Sequence, residues 1–454
     1  MYVSLRDRSG SATGPRTGVV SRRVATTVLL LGGVSMLTDV SSEMVAAVLP
    51  LYLTAQVGLG FLGYGFVDGM YQGVSALVRI LGGYLGDRSD RPKWVAAAGY
   101  GVSAISRLAL LGAHGFAAII GVVSADRLGK GLRTAPRDAL IAAASEPGML
   151  GRSFGVHRAL DTAGAVAGPL LAFALLAAVP GSYDSIFVAS FAFAVVGVAV
   201  LVLFVPNRRT SIATGGETAV AVGGTAAAGG GNGVVVGGSG VGGARAGIGP
   251  RELVREIAGA RLRRPLVAAA LLGVLTVGDG FLYLSLQRRD NLAATVFPLL
   301  YVGTNLVYLC LAVPMGRLAD RIGRARVLVG GHVALIGVYL SAGGPITGTA
   351  STVAVLLLLG TFYAATDGVL PALVSRLVAP TARGTGIAAA QTVVALARFS
   401  SSLAFGSLWI TVGRGPALLV VALLLAAAVP VAYRLLRAAD GAADACRAAD
   451  GNRA

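Results

Sequence analysis

Asp39 and Glu43 stand four residues apart in the apolar run 24–53. On a helix that spacing stacks both carboxyls on one face, together with Ser35 and Ser42. Two carboxyls this close and away from bulk water do not both ionise cheaply, so one of them is expected to hold a proton near neutral pH. The chemistry on offer is reversible proton uptake. Asp161 follows His157 by four residues and Arg158 by three. Basic neighbours favour a permanently charged carboxylate there. A third stripe carries Asp126, Lys130, Arg133 and Arg137, with Arg127 at its flank. At about 1.5 Å of rise per residue, Lys130 and Arg133 reach the depth of His157 and Asp161, which predicts a paired network. Asp39, Glu43 and Asp161 are thus the candidates for proton coupling. Asp68, Arg107, Arg127, Lys130, Arg133, Arg158, Asp279 and Arg398 are the candidates for contacting a solute, and their excess of arginine suits an anionic or zwitterionic one. Asp367 is placed like Asp279 and Arg398, but the first half of the chain carries most of this charge and is the expected seat of ion coupling.

What holds these groups must be apolar. Only 13% of the 454 residues are charged, against about 25% in soluble proteins, and the mean hydropathy is +0.76. Each ionisable group at membrane depth costs about 2.5–3.5 kcal/mol on insertion scales, so such groups face a cavity or one another. Runs such as "ALLVVALLLAAAVPVAYRLL" are long enough to cross a bilayer as helices. They are continuous rather than ten-residue alternations, which excludes a β-barrel. The expected fold is all-α and polytopic, with twelve spans near 24–53, 61–86, 94–112, 116–136, 153–179, 184–205, 266–287, 293–315, 327–343, 350–373, 384–410 and 415–436. The net charge of +17 fits basic loops on one face of a membrane, so no nucleic acid is expected. Arg6, Arg8, Arg16, Arg22 and Arg23 put the N-terminus in the cytoplasm, and an even number of spans returns Arg434 and Arg437 there. "QRRDN", 287–291, is the misfit, since it leaves Arg288 and Arg289 outside. Cys310 and Cys446 form no disulfide or metal spacing. No metal, no cofactor and no cleaved signal are expected.

The chain divides into a tail (1–23), a six-helix half (24–206), a linker (207–264), a second six-helix half (265–437) and a tail (438–454). The linker is Gly/Ala-rich and low in complexity until "PRELVREIAGARLRRP", which reads as a basic amphipathic helix on the inner leaflet. The halves repeat one charged phrase: "GGYLGDRSDRPK" at 82–93 aligns without a gap on "MGRLADRIGRAR" at 315–326. Two halves with a shared pattern suit a transporter built of parallel repeats.

Those phrases resemble the signature of the major facilitator superfamily, Gly-x-Leu-x-Asp-Arg-x-Gly-Arg-x-(Arg/Lys). The first copy is carried by Gly83, Leu85, Asp87, Arg88, Arg91 and Lys93, with Asp90 at the second glycine. The second is carried by Gly316, Leu318, Asp320, Arg321, Gly323, Arg324 and Arg326. The resemblance implies a conformational latch made of Gly83, Asp87, Arg88, Arg91, Gly316, Asp320, Arg321 and Arg324. Two narrower stretches resemble motifs of proton-coupled antiporters. "DRLGKG" carries Arg127 and Gly131, with Lys130 at the usual glutamine. Gly155, Gly164, Gly168 and Pro169 match the helix 5 motif, without its closing glycine pair. Small residues there are expected to pack helices closely.

The function these features imply is secondary active transport by alternating access. The antiporter-like motifs favour proton-driven export of a small organic anion or zwitterion, or a drug. Proton-coupled import of an organic anion is the alternative, and a non-transporting membrane sensor or scaffold is a third. The proton gradient is the expected energy source. A monomer in the inner (plasma) membrane is expected, with a small-molecule substrate, protons and the bilayer as its partners. Nothing in the sequence supports an enzyme.

Overall fold

A computed structural model describes residues 24–88, 91–145, 149–206, 260–377 and 383–451. Among them the secondary structure is helical. The first half consists of α1 (Thr26–Leu51, extended by a π-helical turn over Tyr52–Gln56), α2 (Phe61–Arg88), α3 (Pro92–Ala109), α4 (Phe116–Ala144), α5 (Leu150–Ala178) and α6 (Tyr183–Phe204). The second consists of α7 (Ala260–Val274), α8 (Asp279–Asp290), α9 (Phe297–Ile322), α10 (Arg324–Gly343), α11 (Thr349–Thr366), α12 (Val369–Leu377), α13 (Arg383–Val412) and α14 (Arg414–Gly451). Among the described residues ten segments are long and apolar enough to cross a membrane. The set omits α2 and α4; in α4, Asp126, Arg127, Lys130, Arg133, Arg137 and Asp138 dilute the hydropathy. Apolar side chains stay exposed on the outer faces, as at Ile105, Phe204 and Leu423, where lipid replaces water as the solvent.

Two expectations change. The seventh and tenth spans are each broken in two. α7 stops at Val274 and α8 starts at Asp279, while Asp367 and Gly368 separate α11 from α12. The first break survives in an apolar interior because its backbone is satisfied by neighbours. Ser401 Oγ donates to the Thr276 carbonyl at 2.9 Å, the Val277 N–H donates to Tyr339 Oη at 2.8 Å, and Tyr339 Oη donates to the Leu275 carbonyl at 2.9 Å. Helix is already formed at Ala260, within the expected basic linker helix, and α14 continues to Gly451. Residues 1–23 and 207–259, including most of the basic linker helix, lie outside the described residues.

Small residues set the helix spacing where the sequence placed them on α5, with one exception. A Cβ at Gly164 would lie 2.4 Å from the Met36 carbonyl oxygen, and one at Gly168 would lie 2.7 Å from that of Val40. The backbones of α1 and α5 therefore touch, as small-residue interfaces allow. Gly155 is the correction: nothing among the described residues comes within 4 Å of its Cβ position, so it packs nothing. Gly316 is equally open.

Contacts between the halves gather at the end of the bundle remote from Thr26 and Gly451. The Phe61 ring stacks on Trp409 with centroids 4.4 Å apart, and Tyr64 meets Phe281 edge-on at 4.7 Å. Ser402 Oγ of α13 donates to Asp68 Oδ2 of α2 at 2.6 Å. This end is closed. The misfit arginines lie here too, and each is tied down. Arg289 pairs with Asp290 at 2.8 Å, and Arg288 covers the Phe61 ring at 4.7 Å.

Candidate functional site

The expected network exists, but it joins three helices rather than two. Arg133 of α4 pairs with Asp39 of α1 at 3.7 Å. The Asp39 carboxyl thus faces a cation supplied by another helix, where the sequence showed none nearby. Lys130 and Asp161 are its other charged neighbours. Asp161 of α5 is held on several sides. Ser35 Oγ donates to its Oδ1 at 2.7 Å, Arg158 pairs with it at 3.0 Å, and Arg137 approaches to 4.0 Å. Arg137 itself pairs with Asp138 at 2.9 Å. Glu43 is buried beside Lys130, Arg127, Asp126 and Asp161. His157 is 2% exposed, and neither ring nitrogen has a hydrogen-bond partner among the described residues. The same holds for Arg133 Nη1 and Arg158 Nη2. This cluster therefore contains buried nitrogens without a hydrogen-bond partner among the described residues. Buried donors normally find partners, so an acceptor from outside the chain fits here.

Arg107 and Arg127 go elsewhere. Both pair with Asp126, Arg107 at 3.2 Å. Arg107 also donates to Ser42 Oγ at 2.7 Å, and Arg127 lies 3.6 Å from the centroid of the Tyr71 ring. They are 3% and 2% exposed. They line a pocket within the first half, between α1, α2, α3 and α4, together with Leu49, Leu110 and Val122. These two arginines stand apart from the Asp39–Arg133 pair and brace Asp126 inside the first half.

Asp68, Asp279 and Arg398 form a third group, at the meeting of the halves. Asp279 is the first residue of α8 and accepts a hydrogen bond from Tyr363 Oη. Arg398 of α13 has Asp279, Asp367 and Tyr363 as electrostatic neighbours. The eight expected solute contacts thus divide among three places, and only Lys130, Arg133 and Arg158 share one with Asp39.

Of the first latch, Gly83, Asp87 and Arg88 belong to the α2 backbone, but their side chains lie outside the described residues. Arg91 is exposed at the N-cap of α3, and Lys93 donates to the Val202 carbonyl at 2.8 Å. In the second copy Asp320 pairs with Arg324 at 3.1 Å, one turn apart, and Arg324 reaches the Ala372 carbonyl of α12 at 2.7 Å. Those contacts stay within the second half. Arg321 is exposed.

Several participants were missed. Asp138 had a signal, since it follows Arg137 directly at the end of the expected fourth span. Ser402, Tyr64 and Tyr363 had none, because only long-range packing brings them to carboxylates.

Two helical halves, each with a core of buried charge, define a membrane transporter of the alternating-access type. The profile of the Major Facilitator Superfamily matches residues 31–402 and, in a second placement, 280–446. An uncharacterized MFS-type transporter of Methanocaldococcus jannaschii is 30% identical over 394 residues, which is 86% of this chain and 89% of the relative. Among solved structures, the nucleoside transporter NupG superposes with a TM-score of 0.72 at 13% identity, covering 90% of this chain and 98% of NupG. A POT family transporter in complex with 5-aminolevulinic acid gives 0.71 at 10% identity, over 94% and 98%. At such identities these structures share the fold alone. The chain belongs to the Major Facilitator Superfamily: it is a multi-pass membrane transporter and not an enzyme.

Proposed function

We propose that the protein is a proton-coupled carrier in which a proton and a small organic anion move together. The observation that carries this reading is the Asp39–Arg133 pair, 3.7 Å apart and beside an unpartnered Arg133 Nη1. An ionised Asp39 and an anionic solute compete for the same guanidinium. Protonating Asp39 removes the competitor, so the proton and the anion favour each other's binding, and by linkage the effect is reciprocal. A cationic solute would instead compete with the proton for Asp39, which gives exchange. Asp161 is the fixed charge that keeps α5 on α1 and α4. The donors left over on Arg133, Arg158 and His157 suit a carboxylate or phosphate on the solute.

The second reading, proton-driven export, is favoured by the helix 5 motif, whose Gly164 and Gly168 pack directly on α1. With both termini in the cytoplasm of a bacterial-type plasma membrane, the closed end faces outward and the charge cluster is reached from inside. The arginine-rich loops at the termini's end support that orientation.

Asp39→Asn tests the reading. The variant should fold, retain binding of an anionic solute found by a thermal-shift screen, and lose gradient-driven accumulation in proteoliposomes. Accumulation at the wild-type rate would remove Asp39 as the proton carrier.

A further inference from the structure

The closed end is keyed. The glycines on either side of Asp279 each receive a side chain from the other half. A Cβ at Gly280 would lie 1.8 Å from Tyr64 Oη and 3.0 Å from Pro50 Cγ. A Cβ at Gly278 would lie 2.3 Å from Asp68 Oδ2. Tyr64 and Asp68 are four residues apart on α2, hence one above the other on a single face. Gly278 and Gly280 bracket the start of α8, just after the break that ends α7. The same Asp68 oxygen accepts from Ser402 of α13. One face of α2 is therefore seated on two neighbouring elements of the second half.

Tyr64 has no room to step aside. Tyr64 is 3% exposed, and its ring is pinned edge-on by Phe281, which also packs on Phe405 at 5.1 Å. Gly65, next to the key, would place a Cβ 2.4 Å from the Ser402 carbonyl oxygen, so α2 and α13 are in backbone contact here. Alternating access requires this end to part. When it does, Tyr64 must leave Gly280, and Asp68 must leave both Gly278 and Ser402.

We infer that Tyr64 and Asp68 of α2 are a key that fits the glycine-flanked start of α8, and that seating this key is the step that closes the transporter at the end remote from its termini. The inference depends on the fold and on alternating access, and not on the coupling ion or the solute. The interlock explains two features with no other role in the charge cluster: a helix broken inside the membrane, and a carboxylate on α2 far from Arg133. The break gives α8 a free leading end to receive α2. Neutral, larger packing surfaces would close equally well but would resist parting. A tyrosine and a carboxylate with polar partners exchange them for water when the end opens.

The test is steric and reversible. With Cys310 and Cys446 replaced by serine, spin labels at Val57 and Val412 report the distance across the closed end of the full chain. Gly280→Ala places a methyl group where the Tyr64 hydroxyl sits. It should shift the distance distribution to longer values and slow transport about tenfold or more. Tyr64→Phe removes that hydroxyl and leaves Pro50 Cγ and the ring carbon Cζ at 3.0 Å, so Gly280→Ala with Tyr64→Phe should move both distance and transport back toward wild type. Tyr64→Ala, which deletes the key and leaves the lock intact, should also lengthen the distance. It supplies the reading if Gly280→Ala does not fold. An unchanged distance in Gly280→Ala would overturn the inference. So would a double variant that stays open, or an unchanged distance in Tyr64→Ala.

Discussion

Carboxylates of one chemical type have three different fates in this protein, decided by what faces them. Asp161 is fastened by Ser35, Arg158 and Arg137. Asp161→Asn leaves the half-buried Arg158 without its carboxylate, while Arg137 keeps Asp138, so the cost should fall below the about 3–5 kcal/mol of breaking a fully buried pair. The variant should melt below wild type in a thermal-unfolding assay, and a wild-type melting temperature would contradict the fastened role. Asp39 has a looser partner at 3.7 Å and is available to exchange it. Asp320 is two-thirds exposed and pairs across the Gly323 junction with Arg324, the first residue of α10; exposed pairs of this kind are worth about 0–1 kcal/mol. Asp320→Asn should therefore leave transport within about twofold of wild type, whereas Asp87→Asn in the first copy should lower it strongly. A larger loss from Asp320→Asn than from Asp87→Asn, measured as initial uptake rates, would reverse the roles of the copies.

At the scale of elements, glycines decide which helices touch. α1 and α5 meet because Gly164 and Gly168 leave no Cβ between their backbones. Gly164→Ala forces a methyl group against the Met36 carbonyl and should reduce folded yield and transport together. Gly155→Ala meets open space and should be neutral or slightly stabilising, since alanine is the better helix former by about 1 kcal/mol. Equal behaviour of the two variants in melting and uptake assays would sink this account of the α5 face. The sequence already picked out these glycines as one motif, but it could not rank them. Rank depends on the neighbour each one meets, and that is set by helix rotation rather than by spacing. The breaks at 275–278 and 367–368 were hidden for a related reason. Hydropathy continues across them, and at the first break the hydrogen bonds that rescue the backbone come from Tyr339 and Ser401, distant in sequence.

For the molecule as a whole, the legible part was the pattern that repeats. The long apolar runs, the duplicated charged phrase and the charge-poor composition together define twelve spans in two halves, and the family match agrees. The stripe on α4 was equally legible, because helical period alone aligns Asp126, Lys130, Arg133 and Arg137. The partner of each charge was not. Whether Arg133 turns to α1 or to α5 depends on how α4 is rotated between them, and only the packed bundle fixes that. The substrate-contacting set was read as one group because arginines at similar depth look alike in sequence. In the folded chain, Asp126 draws Arg107 and Arg127 aside. The account that results makes the Asp39–Arg133 pair the meeting point of proton and solute, in a carrier closed at one end by α2 on α8. Its central claim is a sign, and the direct measurement is proton movement on solute addition. Purified protein is reconstituted into vesicles holding a pH-sensitive dye, with no imposed gradient, and an organic anion that raises its melting temperature is added outside. The account predicts that the vesicle interior turns acidic as the anion enters, and that Asp39→Asn abolishes the change. An interior that turns alkaline as the anion enters would show exchange, and would contradict it.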